Sequence, residues 1–137
     1  MKIPGLRSSY DKVGGIVFFG RMLDKIRLHA HGQLPADYNR GTGFDRRCTS
    51  FLKIEYPALV ERTLEGGSDE DILEWCFQEG HRPGEEDILV WNSFMTKRGW
   101  RDDVSKWLEE EKKKRGFAHR DDIQTAFDFH KADEEEE

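Results

Sequence analysis

The chain has 137 residues, 36% of them hydrophobic and 36% charged, with a formal net charge of −6. That is one domain by length, able to bury roughly two-thirds of its unfolded surface, and its periodic apolar stripes exclude disorder. Residues 133–137 carry five of the negative charges, so the body is near −1, and Arg46, Arg47, Lys97, Arg98 and the basic run 112–115 all have acidic sequence neighbours, which excludes a dedicated nucleic-acid surface.

The N-terminal MKIPGLRSSY lacks the apolar run of a signal peptide, and no 18-residue apolar run is present to span a membrane, so a cytoplasmic protein with no membrane partner is expected. Cys48 and Cys76 are isolated in apolar surroundings and read as buried thiols rather than a disulfide or a redox pair.

Residues 1–15 read as a loop, punctuated by Pro4-Gly5, Ser8-Ser9 and Gly14-Gly15. The stretch 14–32, GGIVFFGRMLDKIRLHAHG, has the clearest two-sided pattern, with residues 16–19 running extended into the core before the first helix starts. At about 100° per residue, Phe19, Leu23, Ile26 and Ala30 form a core-facing stripe, and Gly20, Asp24, Arg27 and His31 form a polar line beside it. The twelve-residue segment 32–43 holds Pro35, Asn39 and three glycines, and structureless loops of that length are commonly functional.

A second helix is expected over 43–52, burying Phe44, Cys48, Phe51 and Leu52. A third starts at Tyr56 with Pro57 in its first turn, where a missing N–H is harmless, and stops at Gly66-Gly67. Ser68 and Asp71 form a capping-box variant that opens a fourth helix running to about Glu79, with Ile72, Leu73, Cys76 and Phe77 inward. A fifth is expected over 85–97 on Ile88, Trp91 and Met95, a sixth over 100–115 on Trp100, Val104, Trp107 and Leu108, and a seventh over 120–131 on Ile123, Ala126, Phe127 and His130. The tryptophans at helical spacing read as core. No alternating run is long enough for a strand. The expectation is an all-α bundle of six or seven short helices over 1–132, followed by a frayed, solvated acidic tail over 133–137.

His29 and His31 lie about 200° apart on a helix and cannot share a metal ion, and the other histidines are scattered, so no metal site and no cofactor are expected. Cys48 has Arg46 and Arg47 nearby, but its helical neighbours Phe44, Phe51 and Leu52 place it on a buried face rather than as a nucleophile. Gly41-Thr42-Gly43 opens a helix whose free N–H groups favour anions, with Asp45 competing for the same donors. The polar line offers more. Asp24 and His31 flank Arg27 within side-chain reach, and Gly20 leaves space above them for a ligand or another backbone. If Tyr38, Asn39 and Arg40 close over this line, they make a polar pocket suited to an anionic guest; the plain alternative is a solvated face laced by an Asp24–Arg27 pair.

The order of Asp11-Lys12-x-Gly14-Gly15, Arg21-x-Leu23-Asp24-Lys25-x-Arg27, Leu34 with Tyr38-Asn39, Phe51-Leu52-x-Ile54, Trp100-Arg101-Asp102-Asp103 and Arg120-Asp121-Asp122-Ile123 with Phe127-Asp128 resembles the bacterial domain-of-unknown-function family 5069. The resemblance runs from about Tyr10 to the acidic tail. Members tend to carry His-Leu-Pro-Arg where this chain has Phe18-Phe19-Gly20-Arg21, and such a proline marks a helix start. It implies a single helical domain whose Arg21, Asp24, Lys25 and Arg27 belong to a shared signature, and it implies no activity.

The leading reading is a pocket between the first helix and the 32–43 loop for a small polar or anionic molecule. In it Asp24 is the acceptor or base, His31 the proton carrier, Arg21, Lys25 and Arg27 the anion-binding residues, and Tyr38 and Asn39 the lid. The alternative is a non-enzymatic interaction protein, a homodimer or adaptor, using an exposed aromatic face of the fifth or sixth helix.

Overall fold

The computed structural model describes residues 1–135. Its first element was not foreseen. Lys12–Val13 (β1) and Ile16–Val17 (β2) pair antiparallel, with Lys12 opposite Val17 and Val13 opposite Ile16. Gly14 and Gly15 join them at φ 57° and 81°, the left-handed pair that a two-residue hairpin turn with native twist requires. Two-residue strands are too short to show alternation, so the expected 1–15 loop is corrected to a loop ending in a hairpin.

Phe18, itself at φ 74° and fully buried, turns the chain into α1 (Phe19–Ala30), so the late helix start holds. α1 is the central element and is buried on nearly every side. Phe19, Met22, Leu23 and Ile26 form its apolar face, but Arg21, Asp24 and Lys25 are also no more than 7% exposed, while Ala30 at the end of the expected stripe is exposed.

α2 (Phe44–Leu52), α3 (Tyr56–Leu64), α4 (Asp69–Glu79) and α5 (Glu85–Thr96) follow the expected spans closely. Pro57 sits in the first turn of α3, and Ser68 caps α4 by accepting the Asp71 N–H while the Asp71 carboxylate accepts the Ser68 N–H. α3 packs on α1, and α5 packs on β2. Trp91 stacks on Phe51 at 4.6 Å and donates its indole N–H to the Val17 carbonyl at 3.1 Å. Cys48 and Cys76 are free and buried; burial pushes the Cys48 thiol well up and the Cys76 thiol up to about 12, so both stay protonated.

The last two helices depart from expectation. α6 is Ser105–Lys114, five residues later than its apolar spacing suggested, because the Asp102 carboxylate accepts the N–H groups of Gly99 and Val104 and holds 99–104 as a loop. Trp100 and Trp107 are 48% and 40% exposed rather than core. α7 is Ala126–Glu135, beginning where Thr125 accepts the Asp128 N–H at 3.1 Å. It therefore carries Asp133 and Glu134 as helix residues, where a solvated tail was expected. Residues 136–137 lie outside the described residues.

Candidate functional site

The polar line of α1 does not face an open pocket. The space that Gly20 leaves is taken by Arg7, whose guanidinium lies where a Cβ would come within 2.8 Å. Asp24 accepts from the Arg7 backbone N–H at 2.9 Å and from its side chain at 2.9 and 3.0 Å. Arg7 also donates to Asp69 at 2.7 Å, Arg27 donates to Asp69 at 2.8 Å, and Arg27 lies 3.7 Å from Asp24. Arg7, Asp24, Arg27 and Asp69 thus form a closed ring of alternating charge tying the N-terminal segment and α4 to α1. Burial works against ionising Asp69, but its hydrogen bonds from Arg7 and Arg27 outweigh this and hold its carboxyl below the usual range. His31 sits at the exposed C-terminal end of the helix, bonded to the Arg27 carbonyl at 2.7 Å, so the structure separates it from Asp24.

Arg21 and Lys25 share a different line of the same helix, roughly 100° round from that of Asp24 and Arg27. Arg21 is 3% exposed and donates two bonds to Glu134 of α7, at 2.7 and 2.6 Å, and one to the Arg7 carbonyl at 3.1 Å. Lys25, 5% exposed, lies 2.7 Å from the Asp45 carboxylate and donates to the Asn39 carbonyl at 2.9 Å. Burial lowers its ammonium pKa, and the Asp45 charge opposes that. Asp45, fully buried, also accepts the Gly41 N–H at 2.9 Å. Tyr38 donates to Glu134 at 3.1 Å; burial and that carboxylate push its phenol pKa up and keep it a donor. The 32–43 segment is therefore a strap, held to α1 through Asn39 and to α7 through Tyr38.

Beneath the strap lies a cavity of about 340 Å³, lined by Arg21, Lys25, Tyr38, Asn39, Glu134 and others. A second, of about 360 Å³, adjoins it and shares Asn39, Phe44, Trp107 and His130. Both fall in the size range of small-molecule sites. The two differ in charge. The first is edged by Arg21, Lys25 and Arg115 but also by Asp37, Glu111, Asp133 and Glu134. The second is edged by Arg46, Arg47 and Arg98, with Gly43 at the start of α2 and no carboxylate in its lining.

Among the described residues neither Arg46 nor Arg47 forms an ion pair, although the Arg98 hydrogen bond, helped by the Arg47 charge, holds the Asp103 carboxyl below its usual range; Asp45, their sequence neighbour, is taken up by Lys25. Arg98 is 7% exposed and paired with Asp103 at 2.8 Å, yet its buried Nε has no partner among the described residues. Arg47 and Arg98 both lie over the Phe94 ring, at 5.1 and 4.8 Å.

His130 forms the wall common to both cavities. Its Nδ1 is hydrogen-bonded to Ser9 Oγ at 2.9 Å, and Phe44 and Trp107 flank it at 5.9 and 6.5 Å. Burial drives its pKa well below 6.5, with the nearby charges of Arg21 and Lys25 adding to the effect, so the ring is neutral. A testable pH dependence follows. Between the folded and unfolded pKa values the unfolded chain binds the extra proton, so the stability due to neutral His130 is full above pH 6.5 and falls as pH drops below it. Thermal melts between pH 7.5 and about 5 should show a steeper loss in the wild type than in His130→Gln; equal slopes would overturn this.

Of the sequence-predicted residues, Arg21, Lys25, Tyr38 and Asn39 meet at the cavity, while Asp24, Arg27 and His31 do not. Asp45, Glu134, Trp107 and the arginines of the second cavity were not foreseen. Arg46 and Arg47 form no ion pair with Asp45 beside them in the chain, because sequence neighbours need not be ion-pair partners. Glu134 was hidden in a run read as tail, and His130 in an apolar stripe.

Fold and site together define a small, mostly helical domain built around a buried, internally paired charged helix. Over residues 3–136 the chain matches the family described as Domain of unknown function (DUF5069), and it belongs to that family. No curated protein matches it. Among the described residues no helix is long and apolar enough to cross a membrane, and no three His, Cys, Asp or Glu side chains are grouped to hold a metal ion.

Proposed function

We propose that the chain binds a small anionic molecule in the joined cavities, its anionic group on Arg46, Arg47 and Arg98 and its polar remainder under the 32–43 strap. The observation that carries this reading is a cavity edged by three guanidinium groups with no carboxylate in its lining. Arg46 and Arg47 form no ion pair among the described residues, and bidentate guanidinium donors suit phosphate and carboxylate. Gly43 at the start of α2 lines the same cavity, and the Asp45 carboxylate is turned away to Gly41 and Lys25. Phe44, Trp107 and neutral His130 supply a flat, weakly polar middle, and Tyr38 with the Arg21–Glu134 pair supplies hydrogen-bonding groups at the far end. Asp24 and His31 lie outside the lining, so the reading assigns binding and no proton transfer by that pair.

Thermal-shift titration with inorganic phosphate, a dicarboxylate and a nucleoside monophosphate tests it. At about 100 times its dissociation constant a bound anion adds roughly 2.7 kcal/mol, visible as several degrees in Tm. The expected result is a shift in the wild type that is lost in Arg46→Ala/Arg47→Ala, two exposed positions, and kept in Arg27→Ala on the other line of α1. No shift with any of these probes, or a shift indifferent to the double variant, overturns the reading.

A further inference from the structure

α5 presents an apolar face that the rest of the chain covers only at one edge, where Arg47 and Arg98 lie over the Phe94 ring. Leu89, Val90 and Phe94 are 60%, 59% and 39% exposed, while Trp91 and Met95 of the same helix are buried. At about 100° per residue Glu86, Val90, Ser93 and Lys97 fall along one line, with Leu89 and Phe94 to either side of it. Along the helix this face runs from acid, through apolar and small, to base. Glu86 and Lys97 are exposed and have no ion-pair partner among the described residues.

We propose that this face pairs with the same face of a second copy of the chain, the two α5 helices antiparallel about a two-fold axis between Val90 and Ser93. In that register Glu86 opposes the partner's Lys97 and Val90 opposes the partner's Ser93, while the two copies of Leu89 meet on one flank of the seam and the two copies of Phe94 on the other. Two-fold symmetry makes the Glu86–Lys97 and Val90–Ser93 pairs occur twice. Charge selects the arrangement. A parallel pairing sets Glu86 against its own copy and Lys97 against its own copy, and it aligns the helix dipoles unfavourably; the antiparallel one neutralises both ends. Ser93, the smallest residue of the line, sits next to the axis, where close approach of the backbones matters most. The contact is limited to about three helical turns, so the dimer is weak and concentration-dependent, with a dissociation constant on the order of 10–100 µM.

Sedimentation velocity on the full chain, from about 1 µM to 1 mM, tests this. The wild type should pass from monomer to dimer across that range. Val90→Glu should raise the dissociation constant at least about tenfold by placing a charge at the centre of the contact. Its Tm at low concentration should match the wild type, because Val90 is exposed in the monomer. Glu86→Lys and Lys97→Glu should each weaken the dimer, and the double reversal should recover it, which reports the antiparallel register. A monomer at every concentration, a dimer indifferent to Val90→Glu, or a double reversal weaker than either single one overturns the proposal. None of the substituted residues, Glu86, Val90 and Lys97, lines the anion cavity.

Discussion

Replacing Lys25 by methionine destabilises the chain by about 3–5 kcal/mol, the range for removing one partner of a buried ion pair. Lys25 and Asp45 are 5% and 0% exposed, with 2.7 Å between ammonium and carboxylate. Without the ammonium, the Asp45 charge keeps only the Gly41 N–H, and the Asn39 carbonyl loses its donor. Most of the cost is the orphaned charge rather than the attraction itself. Lys25→Met/Asp45→Asn should therefore recover most of the loss. Urea denaturation of the three chains measures both steps; a single-variant cost under about 1 kcal/mol would show that the carboxylate finds water or another donor. The strap loses its tether to α1 in the same variant, so anion binding should weaken as well.

Glu134→Gln is expected to cost about 2–4 kcal/mol, because Arg21 is then left charged and buried beside a neutral amide whose one oxygen can accept only one of the two bonds, with the Arg7 carbonyl as its other acceptor. The figure is below that for Lys25 because the Glu134 side chain keeps 15% exposure. Glu135→Gln, one residue on and exposed, should stay within about 0.5 kcal/mol of the wild type. Equal, near-zero effects in the two variants would return residues 133–135 to a solvated tail. The pair also bears on the site, since Tyr38 donates to the same carboxylate that holds Arg21.

The parts of the fold that follow from short-range chemistry were legible in the chain. Pro57 in a first turn, the Ser68–Asp71 box and the apolar spacing of α2 to α5 all involve residues within four positions of each other, and those spans hold. α6 shows the limit of that signal. Trp100, Val104 and Trp107 have helical spacing, yet the Asp102 carboxylate takes the Gly99 and Val104 N–H groups and delays the helix to Ser105. At α7 the apolar stripe extends back to Ile123, but the Thr125–Asp128 cap starts the helix later, at Ala126.

The helix of the candidate site was recognisable from sequence, as was the strap above it, through a two-sided apolar and polar pattern in one and the glycines and proline of the other. Which line of α1 faces the cavity was not. Arg21, Asp24, Lys25 and Arg27 are alike in being charged residues on an amphipathic segment. They part company only through partners at Glu134, Arg7, Asp45 and Asp69, brought in from the two ends of the chain and from α2 and α4. Helix periodicity and capping are set by neighbours along the backbone, so they can be read from a string of residues. A buried charge is tolerable only beside its counter-charge, and where distant counter-charges arrive is a property of the packed molecule.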